Sequence, residues 1–348
     1  MDKRTVAVLF GGCSSEYSVS LASAQAVVQH MDRERYTPVL IGISRSGAWL
    51  HYTGPVERIA EDTWNDPRWC APAVVSLDRG DQTLLVRRGK QVERVHLDAA
   101  FPVLHGKNGE DGTVQGVFEL AGIPLVGCGV LASALCMDKD RAHKLAAVAG
   151  VSVPNSYVLG RGEAGEAASW AERLGYPIFV KPVKAGSSYG VTKVTERGQL
   201  TAAVELAFSH DDAVLLEECI SGFEVGCAVL GNDVLTVGAV DEIELQSGFF
   251  DYTEKYTLKT AQIHVPARIR PEQSAQIQET ARTVYRALGC RGFARVDLFL
   301  DAQGRIVFNE VNTIPGFTAH SRYPSMMKAA GLSLQEILTA VIELAVEP

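Results

Sequence analysis

The stretch GRIVFNEVNTIPGFT (residues 304–318) carries the clearest signal of fold and site in this chain. Its first half, residues 305–311, predicts a β-strand. Because residues two apart in a strand share a face, Glu310 and Asn312 are expected to project together. Their oxygen atoms are the hard ligands that Mg²⁺ prefers. The turn at Pro315 and Gly316 would direct backbone N–H groups at the same polar face.

The preceding segment GFARVDLFL (residues 292–300) predicts a second strand, joined to the first by a short loop that contains Gly304. Such a loop indicates a hairpin. In a hairpin that closes symmetrically, Arg295 and Asp297 lie beside Glu310 and Asn312. Three oxygen ligands and a guanidinium on one patch describe a magnesium–phosphate site. A solvated hairpin face is the alternative, and Asn312 with the turn after it favours the site. The other face is expected to be covered by Val296, Leu298, Val307 and Val311.

The composition places the chain among globular proteins of two or three domains. It has 348 residues, 47% of them apolar and 21% charged, with a formal charge of −8. That charge gives no electrostatic footprint for nucleic acid. No apolar stretch reaches the roughly 18–20 residues of a membrane span, and the N-terminus lacks a signal-peptide core, so we expect a cytoplasmic protein. The seven cysteines form no CxxC pair, which predicts buried reduced thiols and no zinc site.

Two glycine-rich loops follow predicted strands in the first third of the chain. The strand at residues 5–10 ends at Gly11, and a helix is expected at residues 19–29. The strand at residues 99–104 ends at the loop HGKNGEDG (residues 105–112), before a helix at residues 113–121. Open α/β sheets bind ligands at the carboxyl ends of their strands. An ordinary βα turn and a plain loop histidine at His105 stay open as alternatives, although two such loops together indicate a shared cleft.

After residue 154 the composition shifts towards β-strands. The strand YPIFVKP (residues 176–182) places Lys181 in an apolar run. A lysine is rarely buried without a partner, which predicts that Lys181 reaches a negative ligand. The loop KAGSSYG (residues 184–190) has small residues and hydroxyls that can wrap phosphate oxygens, or else forms a hairpin turn. The polar and aromatic segment 241–260 is long enough to be a lid. Residues 138–149 predict a helix whose basic side chains mostly form a solvated face.

These segments, taken together, resemble one family. GGCSSEYSVS, HGKNGEDGTVQG, MDKDRAHK, FVKPVKAGSSYGV, GFEVGCAVL, FFDYTEKY, GFARVDLF and FNEVNTIPGFT occur in the order typical of D-alanine–D-alanine ligases. The resemblance covers nearly the whole chain. It implies an α/β and α+β architecture, namely the ATP-grasp fold with an N-terminal Rossmann-like, doubly wound domain. The expected domains are residues 1–126 for the Rossmann-like unit, 127–213 for a central ATP-grasp subdomain, and 214–348 for a C-terminal one that holds the lid and the metal site.

The resemblance also implies a mechanism. ATP phosphorylates the carboxylate of a first D-alanine, and the amine of a second D-amino acid attacks the acyl phosphate. Such phosphoryl transfer needs positioning and charge neutralisation more than covalent help. The metal ligands for two Mg²⁺ or Mn²⁺ ions are expected to be Asp297, Glu310 and Asn312. The residues expected at ATP are Lys139, Lys181, Ser188, Glu217, Glu218, Ile220, Glu224, Lys255 and Asn309.

On the substrate side, Glu16 resembles the partner of the first substrate's ammonium group, with His105 nearby. Glu16, Ser187 and Tyr256 match a hydrogen-bonded trio that ties the lid over the substrates. Arg295 and the N–H of Gly316 would stabilise the tetrahedral oxyanion.

The second substrate is expected to be D-serine. Family members specific for D-alanine have a tyrosine where Phe250 stands and an apolar residue where Arg322 stands, after Ser321. Phe250 and Arg322 are similar to those of the D-alanine–D-serine ligases of vancomycin resistance. D-lactate-using relatives lack the tyrosine that matches Tyr256, which indicates an amide product. The alternative for Arg322 is a surface arginine on a loop.

Three other readings stay open. The chain could be a housekeeping D-alanine–D-alanine ligase, another ATP-grasp enzyme that would not need the HGKNGEDG loop, or a non-catalytic nucleotide-binding protein that would not need Glu310 and Asn312. The partners expected from the resemblance are ATP, D-alanine and D-serine, with no nucleic acid and no membrane, and the enzyme is expected to be a homodimer.

Overall fold

The N-terminal third of the chain forms a seven-stranded sheet. The computed structural model describes residues 3–245 and 261–347. Strand β1 (Arg4–Gly11) pairs in parallel with β2 (Tyr36–Ile43) and β7 (Ala99–Pro102). The antiparallel strands β3 (Trp49–Tyr52), β4 (Cys70–Val75), β5 (Thr83–Arg88) and β6 (Gln91–His96) extend the sheet in the order β6-β5-β4-β3-β2-β1-β7. The apolar run of β1 is buried, as expected for a central parallel strand.

Three helices accompany this sheet, and two of them begin just after the glycine-rich loops. They are α1 (Tyr17–His30), α2 (Glu57–Ala60) and α3 (Thr113–Ala121). After α3, Leu125 forms a single parallel bridge with Ala100 of β7. Strand β1 and strand β7, which precede α1 and α3, are hydrogen-bonded neighbours. The two loops therefore lie at the same edge of the sheet.

Two helices lead into a second, smaller sheet. Helices α4 (Val130–Met137) and α5 (Lys139–Val148) precede the four strands β8 (Ser156–Gly160), β9 (Ile178–Pro182), β10 (Thr192–Val194) and β11 (Ala213–Glu218). The strand order is β10-β9-β11-β8, and all pairs are antiparallel. Helices α6 (Ala167–Leu174) and α7 (Leu200–Phe208), each preceded by a short 3₁₀ turn (Arg161–Glu166 and Arg197–Gln199), share its core.

The third sheet carries the hairpin that the sequence predicts around Gly304. Its strands are β12 (Gly222–Leu230), β13 (Thr236–Val237), β14 (Asp241–Leu245), β15 (Ala261–His264), β16 (Phe293–Asp301) and β17 (Ile306–Asn312). The order is β15-β14-β12-β16-β17, with β13 paired to β12. Helix α8 (Pro271–Ala287) packs on it, and α9 (Arg322–Ala329) and α10 (Leu334–Val346) follow.

The β16–β17 hairpin is not symmetric, because it contains a β-bulge. Asp297 pairs with Glu310, but its neighbour Leu298 pairs with Phe308, which leaves Asn309 as an extra residue on β17. The expectation that Val307 shares a face with Val296, Leu298 and Val311 is therefore wrong, although Val307 is fully buried. Phe308 takes that place in the core cluster. The bulge keeps Glu310 on the polar face while it exchanges the faces of the residues before it.

The hydrophobic cores cross the domain limits expected from the sequence. Side chains of α4 and α5 pack with the third sheet and α8, and those of α9 and α10 pack with β1 and α1. Strand β11 belongs to the second sheet, so the expected limit after residue 213 falls at the start of a strand. The three-domain division stays a prediction.

Within the described residues, no single helix is long and apolar enough to cross a membrane. Helices α9 and α10 satisfy such a test only as one segment, although they are bent by 102° and their apolar side chains lie in a core.

The cysteines are free thiols, as expected, but they are not all buried. Cys13 is exposed, and Cys70 and Cys219 are partly exposed. Cys136 and Cys290 approach each other in the core, with 3.7 Å between their sulfur atoms.

Candidate functional site

Two adjacent cavities lie where the three sheets meet. The first has a volume of about 440 Å³ and the second about 540 Å³, a size typical of small-molecule sites. Both are lined by Lys139, Ala185 and Glu310, which form the boundary between them.

The cavities divide the expected site residues into two groups. The described residues expected at the substrates or in catalysis line the first cavity: Glu16, His105, Ser187, Arg295, Gly316, Ser321 and Arg322. The described residues expected at ATP line the second: Lys139, Lys181, Ser188, Glu217, Glu218, Ile220, Glu224 and Asn309. Phe250, Lys255, Tyr256 and most of the expected lid lie outside the described residues. The first five residues of the expected lid, Asp241–Leu245, form strand β14 instead.

Glu16 stands where two glycine-rich loops meet. It is buried, and the hydroxyl of Ser187 donates a hydrogen bond to its carboxylate. A Cβ atom at Gly106, whose φ is +69°, would lie 2.6 Å from Glu16 Oε2, and one at Gly186 would lie 3.0 Å from the same atom. Only glycine lets both loops approach this carboxylate so closely. The structure thus brings Glu16 and Ser187 together in the first cavity.

The HGKNGEDG loop places a second carboxylate, Glu110, beside Glu16. Its Oε2 accepts a hydrogen bond from the N–H of Gly106 at 2.7 Å, and its Oε1 lies 4.0 Å from His105 Nδ1. Burial, followed by the charge of Glu16, raises the pKa of Glu110 to about 8. Burial lowers the pKa of His105. At neutral pH the pair is therefore a protonated carboxyl group next to a neutral imidazole.

Lys181 forms an ion pair with a carboxylate of the protein itself. Its Nζ donates to Glu217 Oε1 at 2.7 Å, and both side chains are buried. Lys181 lies opposite Leu215 in the β9–β11 pair, which puts Glu217 on the same face one diagonal step away. Glu217 accounts for the burial of Lys181 without a ligand, and because both residues line the second cavity, contact of Lys181 with a negative ligand stays a prediction.

Helix α5 begins at the boundary between the cavities. Lys139 is buried, its Nζ donates to the carbonyl of Ala185 at 2.7 Å, and it lies 3.7 Å from Glu310 Oε2. His143, one turn further, is buried too. The expectation that most basic residues of this helix form a solvated face holds for Arg141 and Lys144 but is wrong for Lys139 and His143.

The polar patch of the hairpin forms as a compact ionic cluster. Arg295 donates to Asp297 through two nitrogens, at 2.8 Å from Nε and 2.7 Å from Nη2. Asn312 Nδ2 donates to the same carboxylate at 2.9 Å. Glu310 and Asn312 line the first cavity, whereas Asp297 is only 1% exposed and lines neither cavity.

Arg322 is buried at the wall of the first cavity, so the alternative of a surface arginine is wrong. Its Nε and Nη2 donate to Asp241 at 2.7 and 2.8 Å, and its Nη1 donates to Glu224 at 2.8 Å. Nη1 also lies 3.3 Å from Asp297 Oδ1. Burial lowers the pKa of Arg322, but the carboxylates of Asp241 and Asp297 raise it more, so the net shift is upward. This cation is fixed at its place.

Comparisons with known proteins agree with this geometry. The model of the "D-ala D-ala ligase N-terminus" matches residues 5–128, and that of the "D-ala D-ala ligase C-terminus" matches residues 145–343. The chain belongs to the D-alanine–D-alanine ligase family. It is therefore an ATP-dependent ligase with an ATP-grasp fold.

Individual members of the family are similar over their whole length. The crystal structure of the VanG D-Ala:D-Ser ligase from Enterococcus faecalis is 57% identical, covers 99% of this chain and 100% of that chain, and superposes with a TM-score of 0.93. The vancomycin B-type resistance protein VanB of Enterococcus faecalis is 48% identical over 100% of both chains. A putative D-alanine–D-lactate ligase of Streptomyces coelicolor is 47% identical over 99% of this chain and 98% of its own.

The oxygen atoms of the hairpin fit the divalent metal that an ATP-dependent ligase implies. Asp297 and Glu310 are cross-strand partners, and Asn312 lies two residues beyond Glu310 on the same face. No group of three or more His, Cys, Asp or Glu side chains arranged for a metal occurs within residues 3–245 and 261–347. Two carboxylates and an amide suit a hard cation whose other ligands are phosphate oxygens.

Three residues of the site were missed by sequence reasoning. Glu110 lies in the HGKNGEDG loop, which was predicted to border a cleft. Its place in that loop was the signal that could have identified it. Asp241 is the first residue of strand β14 and of the expected lid, and could have been noticed as a charge at the start of that segment. His143 had no local signal, because its contacts are with residues more than 70 positions away along the chain.

Proposed function

We propose that this ATP-dependent ligase joins D-alanine to D-serine through an acyl phosphate. The observation that carries the choice of D-serine is the position of Arg322. A guanidinium at the wall of the first cavity, next to Ser321 and Gly316, offers hydrogen-bond donors where an apolar residue would offer none. The similarity to the VanG D-Ala:D-Ser ligase supports the same choice.

In this proposal the second cavity binds ATP. Lys139 and Lys181 meet the phosphates, and Glu217, Glu218, Ile220 and Glu224 meet the nucleoside, with Ser188 and Asn309 alongside. All three of these carboxylates have partners already: Glu217 accepts a hydrogen bond from Lys181, Glu218 accepts two from Asn155 at 3.0 and 2.9 Å, and Glu224 accepts one from Arg322. Contacts of these side chains with a nucleotide would therefore be shared or rearranged. Lys255 is proposed from the resemblance alone.

Asp297, Glu310 and Asn312 would hold the two Mg²⁺ or Mn²⁺ ions, which neutralise the charge of the phosphate oxygens when bound. Because guanidinium groups cover Asp297, its carboxylate is shared between Arg295 and Arg322. The positive side chains of Lys139 and Arg295 bring further charge to the boundary of the two cavities.

The first cavity would hold the two amino acids. Glu16 binds the ammonium group of the first D-alanine, with His105 beside it. The carboxylate of this D-alanine accepts the phosphoryl group from ATP, and the amine of the second substrate then attacks the carbonyl carbon. An amide bond forms, phosphate leaves and the amine loses a proton. Arg295 and the N–H of Gly316 stabilise the oxyanion between these steps.

Arg322 would orient the second substrate. Three of its five N–H groups donate to Asp241 and Glu224, so the guanidinium cannot swing towards a ligand. A fixed donor discriminates more strongly than a mobile one, because an analogue without a hydroxyl leaves it unpaired. From the resemblance alone, we propose that Phe250, where members specific for D-alanine have tyrosine, leaves room for the larger side chain.

The test is to identify the product. The purified enzyme is incubated with ATP, Mg²⁺, D-alanine and equal concentrations of D-serine and D-lactate in one reaction, and the products are identified by mass spectrometry. We expect mostly the mixed D-alanine–D-serine amide. A mixture in which D-alanine–D-alanine or the D-lactate ester predominates would overturn the assignment. ADP release that does not depend on D-alanine would argue against ligase activity altogether.

A further inference from the structure

We propose that His143 is a positioning residue for the nucleotide and metal site, because it holds the β-bulge that presents Asn309 and Glu310. This inference rests on the ATP-dependent ligase activity but not on the choice of second substrate.

His143 contacts the bulge through a hydrogen bond. His143 Nε2 lies 2.7 Å from the backbone oxygen of Asn309, the extra residue of β17. A carbonyl oxygen can only accept a hydrogen bond, so Nε2 carries the proton. The imidazole thus satisfies a carbonyl group at the point where the strand ladder is interrupted.

The bulge matters because of the side chains that it aims. Asn309 and Glu310 are consecutive, yet both line the second cavity. A regular strand would send them to opposite faces, whereas a bulge can direct two neighbours to one side. If Phe308 were the extra residue instead, Asn309 would oppose Leu298 and turn from the cavity towards the core.

Helix α5 holds both bulge residues at once. Lys139 and His143 are four residues apart and lie on one face of the helix. Lys139 Nζ lies 3.7 Å from Glu310 Oε2, and His143 contacts Asn309. The ring of Phe308, the residue before the bulge, meets the imidazole edge-on with 5.5 Å between centroids. One helix turn therefore contacts three successive residues of β17.

The other side of the imidazole faces the Lys181–Glu217 ion pair. His143 Nδ1 lies 3.8 Å from Glu217 Oε2, while Glu217 Oε1 accepts from Lys181. With the proton on Nε2, Nδ1 has no hydrogen to offer, so Glu217 stays available to Lys181. His143 fills the space behind this carboxylate without competing for it. His143 therefore contacts both the bulge that carries Asn309 and Glu310 and the carboxylate of Glu217, which accepts a hydrogen bond from Lys181.

The experiment compares two amides that differ in reach. His143→Gln can place an N–H near the position of Nε2, whereas His143→Asn is too short to reach Asn309. MgADP is titrated into the full-length protein by calorimetry, and the KM values for ATP and D-alanine are measured. We expect His143→Asn to weaken MgADP binding and to raise the KM for ATP about tenfold. His143→Gln should stay within about threefold of the parent, and the KM for D-alanine should stay within twofold in both variants.

Tyr285→Phe is the matched control, since it removes a buried hydrogen bond to the carbonyl of Gly231 in the same core but away from both cavities. We expect it to lower the melting temperature and leave MgADP binding unchanged. If His143→Asn does not fold, His143→Met, which fills the space without a donor, takes its place. Parent-like MgADP affinity in His143→Asn, or in His143→Met where that variant takes its place, would overturn the proposal. A loss of affinity in His143→Gln as large as in that variant would overturn it too. Failure to make the D-serine product would leave these binding results untouched.

Discussion

At the scale of single residues, the chemistry of the site depends on how its charged side chains pair with one another. Lys181 shows how far sequence reasoning reaches. Its burial could be predicted from the apolar run around it, but its partner Glu217 could not, because the β9–β11 pairing joins residues 36 positions apart. Asp297, Glu310 and Asn312 could be placed together because their hairpin is local. Arg322 could be selected by resemblance, but its three carboxylate neighbours come from three separate strands.

Glu310→Gln tests the proposed metal site. The change removes one ligand charge next to the phosphate oxygens and keeps the size of the side chain. Turnover at saturating Mg²⁺ is expected to fall on the order of 100-fold, or about 2.7 kcal/mol, with an unchanged melting temperature. Glu205→Gln, on the exposed face of α7, is the control and should keep full activity. Full turnover in Glu310→Gln would remove this residue from the metal site.

The raised pKa of Glu110 predicts that the stability of the folded protein depends on pH. Its pKa is about 8 in the folded protein and near 4.5 when unperturbed, so between these values the folded state binds a proton that the unfolded state has lost. The contribution of Glu110 to the free energy of unfolding therefore falls as pH rises from about 4.5 to 8.

Glu110→Gln, which cannot ionise, should remove this contribution. Denaturant unfolding of the ligand-free protein at pH 6 and pH 8 is the measurement. The variant is expected to gain stability relative to the parent at pH 8 compared with pH 6. A constant difference between the two proteins at both pH values would show that Glu110 has an ordinary pKa.

At the scale of secondary structure elements, the long and periodic segments could be predicted and the irregular ones could not. Helix α3 and the capping box of α10 follow from local signals. The bulge in β17 does not, because Val307 and Phe308 are both apolar and either could face the core. The resulting exchange of faces decides which side chains enter the ATP cavity.

Gly226 shows how closely strand β12 approaches the Arg322 cluster. It pairs with Asp241 and Asp297 on its two sides. A Cβ atom at this position would lie 2.4 Å from Arg322 Nη2 and 2.7 Å from Asp241 Oδ1. Gly226→Ala must therefore displace the guanidinium, and we expect kcat/KM for the second amino acid to fall at least tenfold while MgADP binding changes little.

Gly198→Ala is the control for this change, because nothing lies within 4 Å of the added atom. Both variants are assayed with D-serine at fixed ATP and D-alanine. Parent-like use of D-serine by Gly226→Ala would mean that the fixed position of Arg322 does not matter for the second substrate.

At the scale of the whole molecule, the ATP-grasp fold could be recognised from the order of the motifs. The packing of the last helix against the N-terminal sheet could not be predicted from the sequence. Helix α10 packs against the N-terminal sheet, and Glu343 on it accepts hydrogen bonds from Arg4, Arg35 and Tyr36. No local pattern connects residues more than 300 positions apart. The C-terminal end therefore stabilises the unit that carries Glu16 and His105.

Ile337→Ala tests this long-range packing. Ile337 is fully buried in the core shared by α10 and the N-terminal unit. Its truncation is expected to cost about 2–5 kcal/mol of unfolding free energy, since it leaves a cavity. Denaturant unfolding measures this cost, and Val234→Ala at an 87% exposed position should change stability by less than about 0.5 kcal/mol. Equal stabilities of the two variants would contradict the shared core.

The preference for D-serine at the second position is the central claim. It rests on Arg322, a cation held by carboxylates at a cavity wall, and on the resemblance, which implies an apolar residue at this position in members specific for D-alanine. The most direct measurement is kcat/KM for D-serine against D-alanine as second substrate, with saturating ATP and D-alanine held at the first position. We predict a ratio that favours D-serine, and Arg322→Leu should reduce D-serine use far more than D-alanine use. A ratio that favours D-alanine tenfold, roughly 1.4 kcal/mol, would contradict the account.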